Sequence, residues 1–395
     1  MKKLIIVNNN MKVGGVQKSL CNLLWAIDGR YDVTLYLFCK TGAYLDELPP
    51  RVRVVACSSL FRYLGVSQQD CHSWRDRLLR GCLAAVCKCF GRPAALGLMG
   101  LTQRTVEGHY DYAIAYLQNG RIRSFYGGVN EFVLRYVSAA RKIAYLHCDY
   151  AASGAAHRQN DRLYAGFDCI AACSDGCRRA FVQALPALGG NCLTARNLHR
   201  YDLIRQLAAA SPPPYEAERL HLLIVGRLAH EKAVDRAIYA TAYGISAGLP
   251  LTLHIVGNGN LRASLQALAE ELHIGTFVRF YGEQRNPYRF MVGADLLLVT
   301  SYHEAAPMVV EEARCVGLPV LSVETASSGE MIAQTGCGWV CENDQSALNN
   351  ALVSILSQGQ LLREKRLALM SEPGDNQTAW AQFRAILGES PPQNG

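Results

Sequence analysis

The sequence predicts an α/β protein with two doubly wound parallel sheets. Short apolar runs typical of buried strands alternate with longer segments whose apolar residues recur at helical spacing. The alternation begins at Lys3, is interrupted by a proline-rich stretch near residue 212, and starts again at His221. At 395 residues, 50% of them hydrophobic, the chain is long enough to bury a core in each of two domains.

A strand–helix–strand unit opens the first half. Lys3–Asn8 is typical of a buried strand, residues 16–27 carry apolar side chains at helical spacing, and 33–38 is strand-like again. Four further strands are predicted in this half, at 53–56, 111–116, 142–146 and 169–172. Because ligands bind beyond the carboxyl ends of parallel strands, the loops there are the expected location of a site.

The second half repeats the pattern behind a domain boundary marked by three consecutive prolines. The expected divisions are an N-terminal domain at 1–207, a linker at 208–219 and a C-terminal domain at 220–372. Strands are predicted there at 221–226, 251–257, 278–282, 294–300 and 320–323. A helix within 373–389 should pack back on the body, and the tail at 390–395 should be disordered.

Positive charge is concentrated in the first half. Residues 1–200 carry 26 Lys and Arg against 13 Asp and Glu, whereas residues 201–395 carry 14 against 20. Region 51–104 is the most basic, and its cations are interleaved with aromatic and aliphatic residues. This pattern fits a helix lying on an anionic membrane surface, and it equally fits a basic helix packed on its own domain.

The N-terminus has too few apolar residues for a signal-peptide core or a membrane span, because only four consecutive apolar residues lie between Lys3 and Asn8. Fifteen cysteines without such a signal indicate a reducing cytoplasm, where they serve mainly as small apolar residues. Cys169, Cys173 and Cys177 recur at helical spacing, but none of the cysteines has the paired spacing of a zinc site. We therefore expect a cytoplasmic protein, with peripheral contact at the inner face of the plasma membrane as the further hypothesis.

The most informative stretch runs from Ser301 to Pro319. An apolar run of strand type precedes it, Pro307 suits the first position of a helix, and Gly317 suits a left-handed helix stop. The free N–H groups and the positive dipole end of such a helix favour a phosphate. Glu304 and Glu312 frame this helix start and could accept hydrogen bonds from sugar hydroxyls. Phosphate and hydroxyls together suggest a nucleotide sugar as the ligand.

Two cations follow the first strand of the second half. Arg227 and Lys232 lie five residues apart in one loop, where a planar guanidinium and a mobile ammonium could neutralise a diphosphate. Spacing alone favours two solvated surface cations, and only the surrounding motifs favour a phosphate site. Gly14 and Gly15, after the first strand of the chain, would let the backbone approach a ligand, although they match neither the dinucleotide fingerprint nor the P-loop.

These motifs resemble those of glycosyltransferase family 4, which are retaining enzymes of the GT-B fold. The segment with Glu304 and Glu312 is similar to the family's Glu-x7-Glu signature, and residues 225–235 are similar to its arginine-lysine stretch. Residues 255–259, the Gly14-Gly15 loop and His147 also match positions of the family pattern. The resemblance covers nearly the whole chain and implies two Rossmann-like domains facing across a cleft, with the N-terminal domain on the acceptor side.

The resemblance also implies roles for individual residues. The diphosphate would be held by the two cations, the glycine loop and the start of the helix, which means by Arg227, Lys232, Gly14, Gly15, Pro307 and Met308. Gly257 and Asn258 would belong to the same substrate site. Glu312 would bind the ribose and Glu304 the donor sugar, while His147 would contact the sugar or its developing charge. The groups expected to act in catalysis are Glu304, His147, Arg227 and Lys232.

The chain contains no Asp-x-Asp, so we expect no obligatory metal and no cofactor, the cationic side chains taking the place of a metal ion. Three departures from the family pattern bear on donor identity more than on fold. Ala233 stands where glycine is usual, residues 197–202 match the approach to the linker only loosely, and Val16-Gln17 follows the glycine loop where a small residue and Glu are common.

The function expected from these features is transfer of a hexose-type sugar from a nucleotide-diphosphate sugar, with UDP favoured, to a lipid-linked or polysaccharide acceptor in cell-surface, capsular or exopolysaccharide synthesis. A nucleic acid partner is not expected. One alternative is a non-catalytic nucleotide-sugar or glycan-binding protein on the same scaffold. Another is a dinucleotide-dependent oxidoreductase, suggested by the glycines at 257 and 259 but disfavoured because Arg262 occupies the third glycine position.

Overall fold

The computed structural model describes residues 1–71, 73–210, 213, 215–372 and 374–389, and the chain forms two compact units. The first unit comprises residues 1–198 together with the segment from Gln377 onward, and the second comprises residues 199–376. The second unit therefore begins at His199, ahead of the boundary expected at 207. The predicted linker lies partly, and the predicted disordered tail at 390–395 lies wholly, outside the described residues.

The first unit is built on a parallel sheet of seven strands in the order β3-β2-β1-β4-β5-β6-β7. The strands are β1 (Lys3–Asn8), β2 (Asp32–Leu37), β3 (Arg53–Ala56), β4 (Tyr110–Ala115), β5 (Ala139–Leu146), β6 (Cys169–Ala172) and β7 (Cys192–Thr194). All but β7 were predicted within three residues at each end. A strand of three residues is too short to produce a recognisable apolar run.

The second unit contains a six-stranded parallel sheet in the order β10-β9-β8-β11-β12-β13. The strands are β8 (Leu220–Val225), β9 (Leu251–Val256), β10 (Val278–Gly282), β11 (Leu296–Val299), β12 (Val320–Val323) and β13 (Gly338–Cys341). β13 was missed because it is an edge strand and only half-buried, so its residues do not form a continuous apolar run. Both sheets place their first strand beside the fourth, which is the doubly wound arrangement.

Helices connect the strands and are numbered along the whole chain. The first unit holds α1 (Gly15–Ile27), α2 (Trp74–Phe90), α3 (Arg92–Gly100), α4 (Val129–Tyr136), α5 (Arg158–Tyr164), α6 (Asp175–Ala184) and α15 (Gln377–Ile386). The second unit holds α7 (Tyr201–Ala208), α8 (Val234–Ser246), α9 (Arg262–Glu271), α10 (Tyr288–Gly293), α11 (Met308–Cys315), α12 (Ser328–Thr335), α13 (Gln345–Leu356) and α14 (Gly359–Ser371). Short 3-10 helices lie at Ala43–Glu47, Leu60–Leu64, Pro186–Asn191, His230–Lys232 and Gly275–Phe277.

The last described helix, α15, belongs to the first unit. Phe383 and Ile386 are buried in the same apolar cluster as the residues of β1 and β2. Beyond the helix, Glu389 accepts hydrogen bonds from the Tyr31 hydroxyl at 2.8 Å and the Tyr112 hydroxyl at 2.9 Å, and from the Lys2 ammonium at 3.1 Å. The sheet core and this polar anchor together hold residues 377–389 on the first unit.

The second unit begins earlier than the prolines suggest because helix α7 packs within it. Ile204 and Ala208 are buried in an apolar cluster with side chains of α10, β11 and α11. The two ends of the unit are also joined, because the His199 N–H donates to Asn376 Oδ1 at 2.9 Å and Asn376 Nδ2 donates to the His199 carbonyl at 2.7 Å. The packing of α7 and this pair of hydrogen bonds decide where the unit begins. Neither can be inferred from the composition of the linker.

All fifteen cysteines are free thiols, and most are buried. Among the described residues, no group of three or more His, Cys, Asp or Glu side chains is arranged to hold a metal ion. Within the same residues, no helix has both the length and the apolar composition needed to cross a bilayer.

Candidate functional site

Two glycines bring the loop after β9 against the loop after β8, which carries Arg227. A Cβ on Gly257 would lie 1.8 Å from the Gly226 carbonyl oxygen, and one on Gly259 would lie 2.2 Å from the Leu228 carbonyl oxygen. The close approach is completed by a hydrogen bond from Leu228 N–H to the Asn258 carbonyl at 2.9 Å. The glycine turn therefore supports the backbone of the cationic loop, and any larger residue at these two positions would push the loops apart.

The two cations of that loop each meet a carboxylate. Arg227 Nη2 lies 2.7 Å from Glu231 Oε1, and its side chain is 64% exposed. Lys232 Nζ lies 2.5 Å from Glu304 Oε1 in a half-buried pair. Lys232 and Glu304, 72 residues apart in the chain, are thus brought together at the carboxyl end of the second sheet.

Ala233 adopts a left-handed backbone conformation, with φ 45° and ψ 49°. Thr300 holds this turn from the loop after β11, because its hydroxyl lies 2.9 Å from the Ala233 carbonyl and 3.1 Å from the Lys232 carbonyl. A side chain in this region costs about 1–2 kcal/mol, a cost that glycine escapes. The departure from glycine at this position therefore preserves the turn and adds local strain beside Lys232.

Two serines fix the loop that carries Glu304. Ser301 Oγ donates to Glu304 Oε1 at 2.7 Å, and Ser327 Oγ donates to the Glu304 carbonyl at 3.2 Å. Neither serine was predicted from the sequence to be part of the site. Ser301 stands three residues before Glu304, the spacing of a helix capping box, and this was the one available signal. No sequence spacing relates Ser327 to Glu304.

Helix α11 begins at Met308, one residue later than predicted. Pro307 is the N-cap, because its ψ of 110° is extended and lies outside the helical range, so the expectation that it is the first helical residue was wrong. Within the part of the chain that the structure describes, the N-cap residue makes no side-chain capping bond to the first N–H groups of this helix. The prediction of a left-handed stop at Gly317 is confirmed by its φ of 75°.

The two acids of the predicted signature differ in environment. Glu304 lies in the loop before α11, whereas Glu312 lies on the helix and is only 2% exposed. Its neighbour Glu311 accepts a hydrogen bond from the Tyr201 hydroxyl at 3.2 Å and one from Arg314 at 3.3 Å. Glu304 is thus the accessible acid of the pair.

In the first unit, the Gly14-Gly15 loop leads into α1 with an uncapped N-terminus. Gly14 is extended, and a Cβ on Gly15 would meet nothing within 4 Å, so open space adjoins the helix start. The Asn10 side chain ties the loop to the Gly65 carbonyl at 2.7 Å. Lys12 pairs with Asp70, and hydrogen bonds from Lys12 and Ser67 lower the pKa of that carboxyl to about 2.

His147 follows β5 in the same unit and lies among aromatic rings. Its imidazole is stacked on Tyr145 at 5.4 Å and is tilted against Tyr116 at 4.7 Å. Burial lowers the pKa of His147 to about 4, although a hydrogen bond to the backbone of Tyr116 opposes the shift. Within the described residues, its Nε2 is buried without a hydrogen-bond partner. At neutral pH the ring is therefore uncharged.

Solved structures identify the fold class. The chain aligns with WaaG, a glycosyltransferase involved in lipopolysaccharide biosynthesis, over 97% of its length and 98% of that chain, with a TM-score of 0.60 and 18% identity. It aligns with Anabaena Alr3699/HepE in complex with UDP and glucose over 98% of its length and all of that chain, with a TM-score of 0.68 and 17% identity. The fold is GT-B, as the resemblance implied.

Sequence comparison points the same way for part of the chain. The family model for glycosyl transferases group 1 matches residues 212–370, which lie within the second unit. The lipopolysaccharide glucosyltransferase WaaG of Escherichia coli K12 is 36% identical over 148 residues, 35% of this chain and 38% of the relative. A GDP-mannose-dependent phosphatidylinositol dimannoside mannosyltransferase of Mycobacterium tuberculosis is 28% identical over 236 residues, 58% and 60% of the two chains. The matched regions thus span between about two fifths and three fifths of these relatives.

Proposed function

We propose that the protein is a retaining glycosyltransferase of family 4 that moves a hexose-type sugar from a nucleotide-diphosphate sugar, with UDP as the favoured nucleotide, to a lipid-linked or polysaccharide acceptor. The observation that carries the proposal is the Lys232–Glu304 pair beside the uncapped start of α11. A cation, a carboxylate and free N–H groups in one place suit a ligand that is both anionic and rich in hydroxyls. The lipopolysaccharide and glycolipid transferases among the relatives support the acceptor class.

Transfer of a glycosyl group develops positive charge at the anomeric carbon and negative charge on the departing diphosphate. Fixed donors aimed at that diphosphate stabilise the transition state. In this proposal Arg227, Lys232 and the backbone N–H groups at Met308 bind the phosphates, and the Gly14-Gly15 loop offers further N–H groups. Once phosphate takes over Lys232, the Glu304 carboxylate, still held by Ser301, becomes available to the hydroxyls of the donor sugar. Glu312 would bind the ribose, which requires that the side chain become more accessible than it is in this structure.

Retention of configuration is proposed to proceed by front-face attack, with the leaving phosphate oxygen accepting the acceptor's proton. The uncharged imidazole of His147 would contact the sugar, because a neutral ring does not repel the developing positive charge. The cationic groups would make a metal ion unnecessary. Activity that disappears with a chelator and returns with a divalent cation would contradict this last point.

The test is nucleotide binding and release. Arg227→Ala should weaken UDP binding in calorimetry about 10- to 150-fold, since a hydrogen bond to a charged group contributes roughly 1.5–3 kcal/mol. Arg363→Ala is the matched control, because Arg363 is an exposed cation on α14. Glu304→Gln should retain UDP binding and lose UDP release from UDP-glucose.

The proposal fails if the natural protein binds none of the UDP-, GDP-, ADP- and dTDP-sugars. Binding of a nucleotide sugar without release in the presence of lipid-linked or polysaccharide acceptors would instead support the non-catalytic alternative. Equal effects of the Arg227 and Arg363 substitutions on UDP binding would contradict the assignment of Arg227 to the phosphate site.

We also propose peripheral contact with an anionic membrane, and the outward face of α2 supports it. Trp74, Leu78, Cys82, Ala85 and Cys89 recur at helical spacing along this face and are all exposed, Trp74 by 69% and Leu78 by 60%. The two buried residues of the helix lie on its opposite side. An unbroken exposed apolar stripe opposite the packed face is typical of a helix that lies in a bilayer interface.

Cations flank this stripe. Arg75, Arg77 and Lys88 are exposed beside it, and the single acid of the helix, Asp76, accepts a hydrogen bond from the Tyr63 hydroxyl at 2.6 Å. Each cation near an anionic surface contributes about 1 kcal/mol, so replacing all three with glutamine should weaken binding to phosphatidylglycerol vesicles about 100-fold.

Vesicle flotation with and without phosphatidylglycerol measures this contact. Trp74→Ser with Leu78→Ser should also reduce binding, whereas Tyr239→Ser with Tyr243→Ser, which removes two exposed aromatic residues from α8, should not. Equal losses in the two double variants, or no difference between the two vesicle types, would contradict a role for α2.

A further inference from the structure

Three loops at the carboxyl end of the second sheet are joined by one arginine and one asparagine. Arg236 Nη1 lies 3.4 Å from the Thr300 carbonyl and 2.5 Å from Asn343 Oδ1. Asn343 Nδ2 in turn donates to the Glu324 carbonyl at 2.8 Å and to the Tyr302 carbonyl at 3.4 Å. The loops after β11, β12 and β13 are thereby fixed to one another behind Glu304.

The charge of Arg236 is unusual for its position. The side chain is only 5% exposed, and within the described residues its Nη2 is buried without a hydrogen-bond partner and no carboxylate lies within ion-pair distance of the guanidinium. Arg227 and Lys232 by contrast are each paired. A buried, unpaired charge is costly, and a specific unsatisfied group in a folded protein requires an explanation.

Arg236 also supports an exposed ring. Its guanidinium carbon lies 5.6 Å from the centre of the Tyr302 ring. The ring of His230, which lies on the loop that carries Lys232, is 5.3 Å from the same Tyr302 ring. The Tyr302 N–H donates to the Glu231 carbonyl at 3.1 Å. Tyr302 is therefore held in place beside Glu304 with part of its ring open to solvent.

We propose that Arg236 is a positioning residue for recognition of the donor sugar. It holds the Thr300–Tyr302 segment so that Ser301 orients Glu304 and the Tyr302 ring forms a flat apolar surface beside that acid. A carboxylate next to an aromatic face suits a pyranose, which offers hydroxyls at its rim and C–H groups on its face. The inference rests on the proposed function, since it concerns the sugar half of the same site. Arg236 and Asn343 stand 107 residues apart, so no sequence motif indicates their contact.

The inference predicts that a change at Arg236 affects binding of the sugar and leaves binding of the nucleotide nearly unchanged. Arg236→Met keeps the length of the side chain and removes both hydrogen bonds and the charge. The dissociation constant of UDP should change by about 2-fold or less, whereas the extra affinity for UDP-glucose over UDP should fall about 10-fold, the value of one good hydrogen bond or a little more. Arg236→Lys can restore one hydrogen bond and should give an intermediate ratio.

Arg366 provides a matched control, because it bonds to the opposite end of strand β11. Arg366 Nη2 donates to the carbonyl of Ala294, which precedes β11, whereas Arg236 bonds to the carbonyl that follows it. Arg366→Met therefore removes the same kind of bond from the same strand at the end remote from Glu304. It should leave the ratio of UDP-glucose to UDP affinity unchanged.

Hydrogen exchange supplies a readout that needs no ligand. In Arg236→Met the amides of Tyr302 to Glu304 should exchange about 10-fold faster, and in Arg366→Met they should not. Unchanged exchange in this segment, or equal losses of UDP and UDP-glucose affinity, would overturn the positioning role. A natural protein that binds neither ligand would overturn the proposed function, and the exchange result would still decide whether Arg236 holds the loop.

Discussion

Replacing His254 with glutamine should destabilise the second unit at about pH 7.5 and leave it at least as stable as the natural protein at about pH 5. The reason is that His254 is buried in a chain of hydrogen bonds that is fully satisfied when its ring is neutral. His221 Nδ1 lies 2.9 Å from His254 Nε2, and both rings are almost fully buried. The outer nitrogens contact the Glu216 carbonyl and the Tyr281 hydroxyl, each at 2.9 Å.

The outer contacts fix the proton positions. A carbonyl can only accept, so His221 Nε2 carries a proton and its Nδ1 is an acceptor. His254 must then donate from Nε2, and Tyr281 donates to His254 Nδ1. Every polar atom of both rings is satisfied when both are neutral, whereas protonation of His254 would reverse its hydrogen bond with the Tyr281 hydroxyl and place a positive charge in a buried site.

Burial is the main cause that lowers the pKa of His254, to about 3, and repulsion from His221 and Arg279 adds to it. Because the folded pKa lies below the unfolded value of about 6.5, this contribution to stability is complete above pH 6.5 and is lost as the pH falls below it. The loss is about 1.4 kcal/mol per pH unit and amounts to about 2 kcal/mol at pH 5. Glutamine can still donate to His221 but leaves Tyr281 without its acceptor, at a cost of about 1–2 kcal/mol.

Urea unfolding followed by hydrogen exchange of β8 and β9 peptides measures the second unit separately from the first. The free energies of unfolding of the two proteins should converge or cross between about pH 7.5 and pH 5. Parallel curves over that range would refute the assignment of a neutral, buried His254. Tyr281→Phe is the control, since it removes the hydroxyl and leaves the titrating ring in place, so its curve should keep the slope of the natural protein.

Three further sets of substitutions test other parts of the structure. Ala233→Val should destabilise the second unit by about 2 kcal/mol or more, because a branched side chain is forced into a left-handed, buried turn. Ala233→Gly should change thermal stability by less than about 1 kcal/mol. Its relief of strain is offset by the lost burial of the methyl group and by the greater freedom of the unfolded chain. Arg92→Met should cost about 3–5 kcal/mol in urea unfolding of the first unit, because it leaves Glu131 buried without the guanidinium 3.2 Å away, and adding Glu131→Met should recover most of that loss. Glu389→Gln should raise hydrogen exchange in α15 several-fold with little effect on the second unit, and a uniform change in both units would contradict the anchoring role.

The strands were predictable because buried parallel strands are nearly continuous apolar runs. β1 and β11 have that form, and β8 and β9 depart from it only at His221, Thr252 and His254. The doubly wound parallel sheets followed from the alternation of these strands with helices, and the GT-B fold followed from the motif resemblance. The contacts of the site did not follow, because they join loops from different strands. Arg236 and Asn343 belong to no motif, and Ser327 reaches Glu304 only because β11 and β12 are neighbours in the sheet.

Two sequence-based expectations failed for local reasons. Pro307 has the φ of a helix but not the ψ, and only the ψ places it before the helix. The prolines near residue 212 suggested a boundary, whereas Ile204 and Ala208 already pack in the core of the second unit. Proline-rich composition indicates where a chain can bend. The burial of α7 decides that this helix belongs to the second unit.

The second unit, whose two ends are joined by the pairing of His199 with Asn376, is a continuous insertion in the chain of the first. A ribosome therefore releases every residue of the second unit before it releases α15, which the first unit needs for its core and for the Glu389 anchor. Folding during synthesis should finish in the order second unit, then first, the reverse of the usual N-terminal-first order. A fragment that ends at Asn376 would carry a complete second unit and an unfinished first one, and it would expose the apolar surface that Phe383 and Ile386 normally cover.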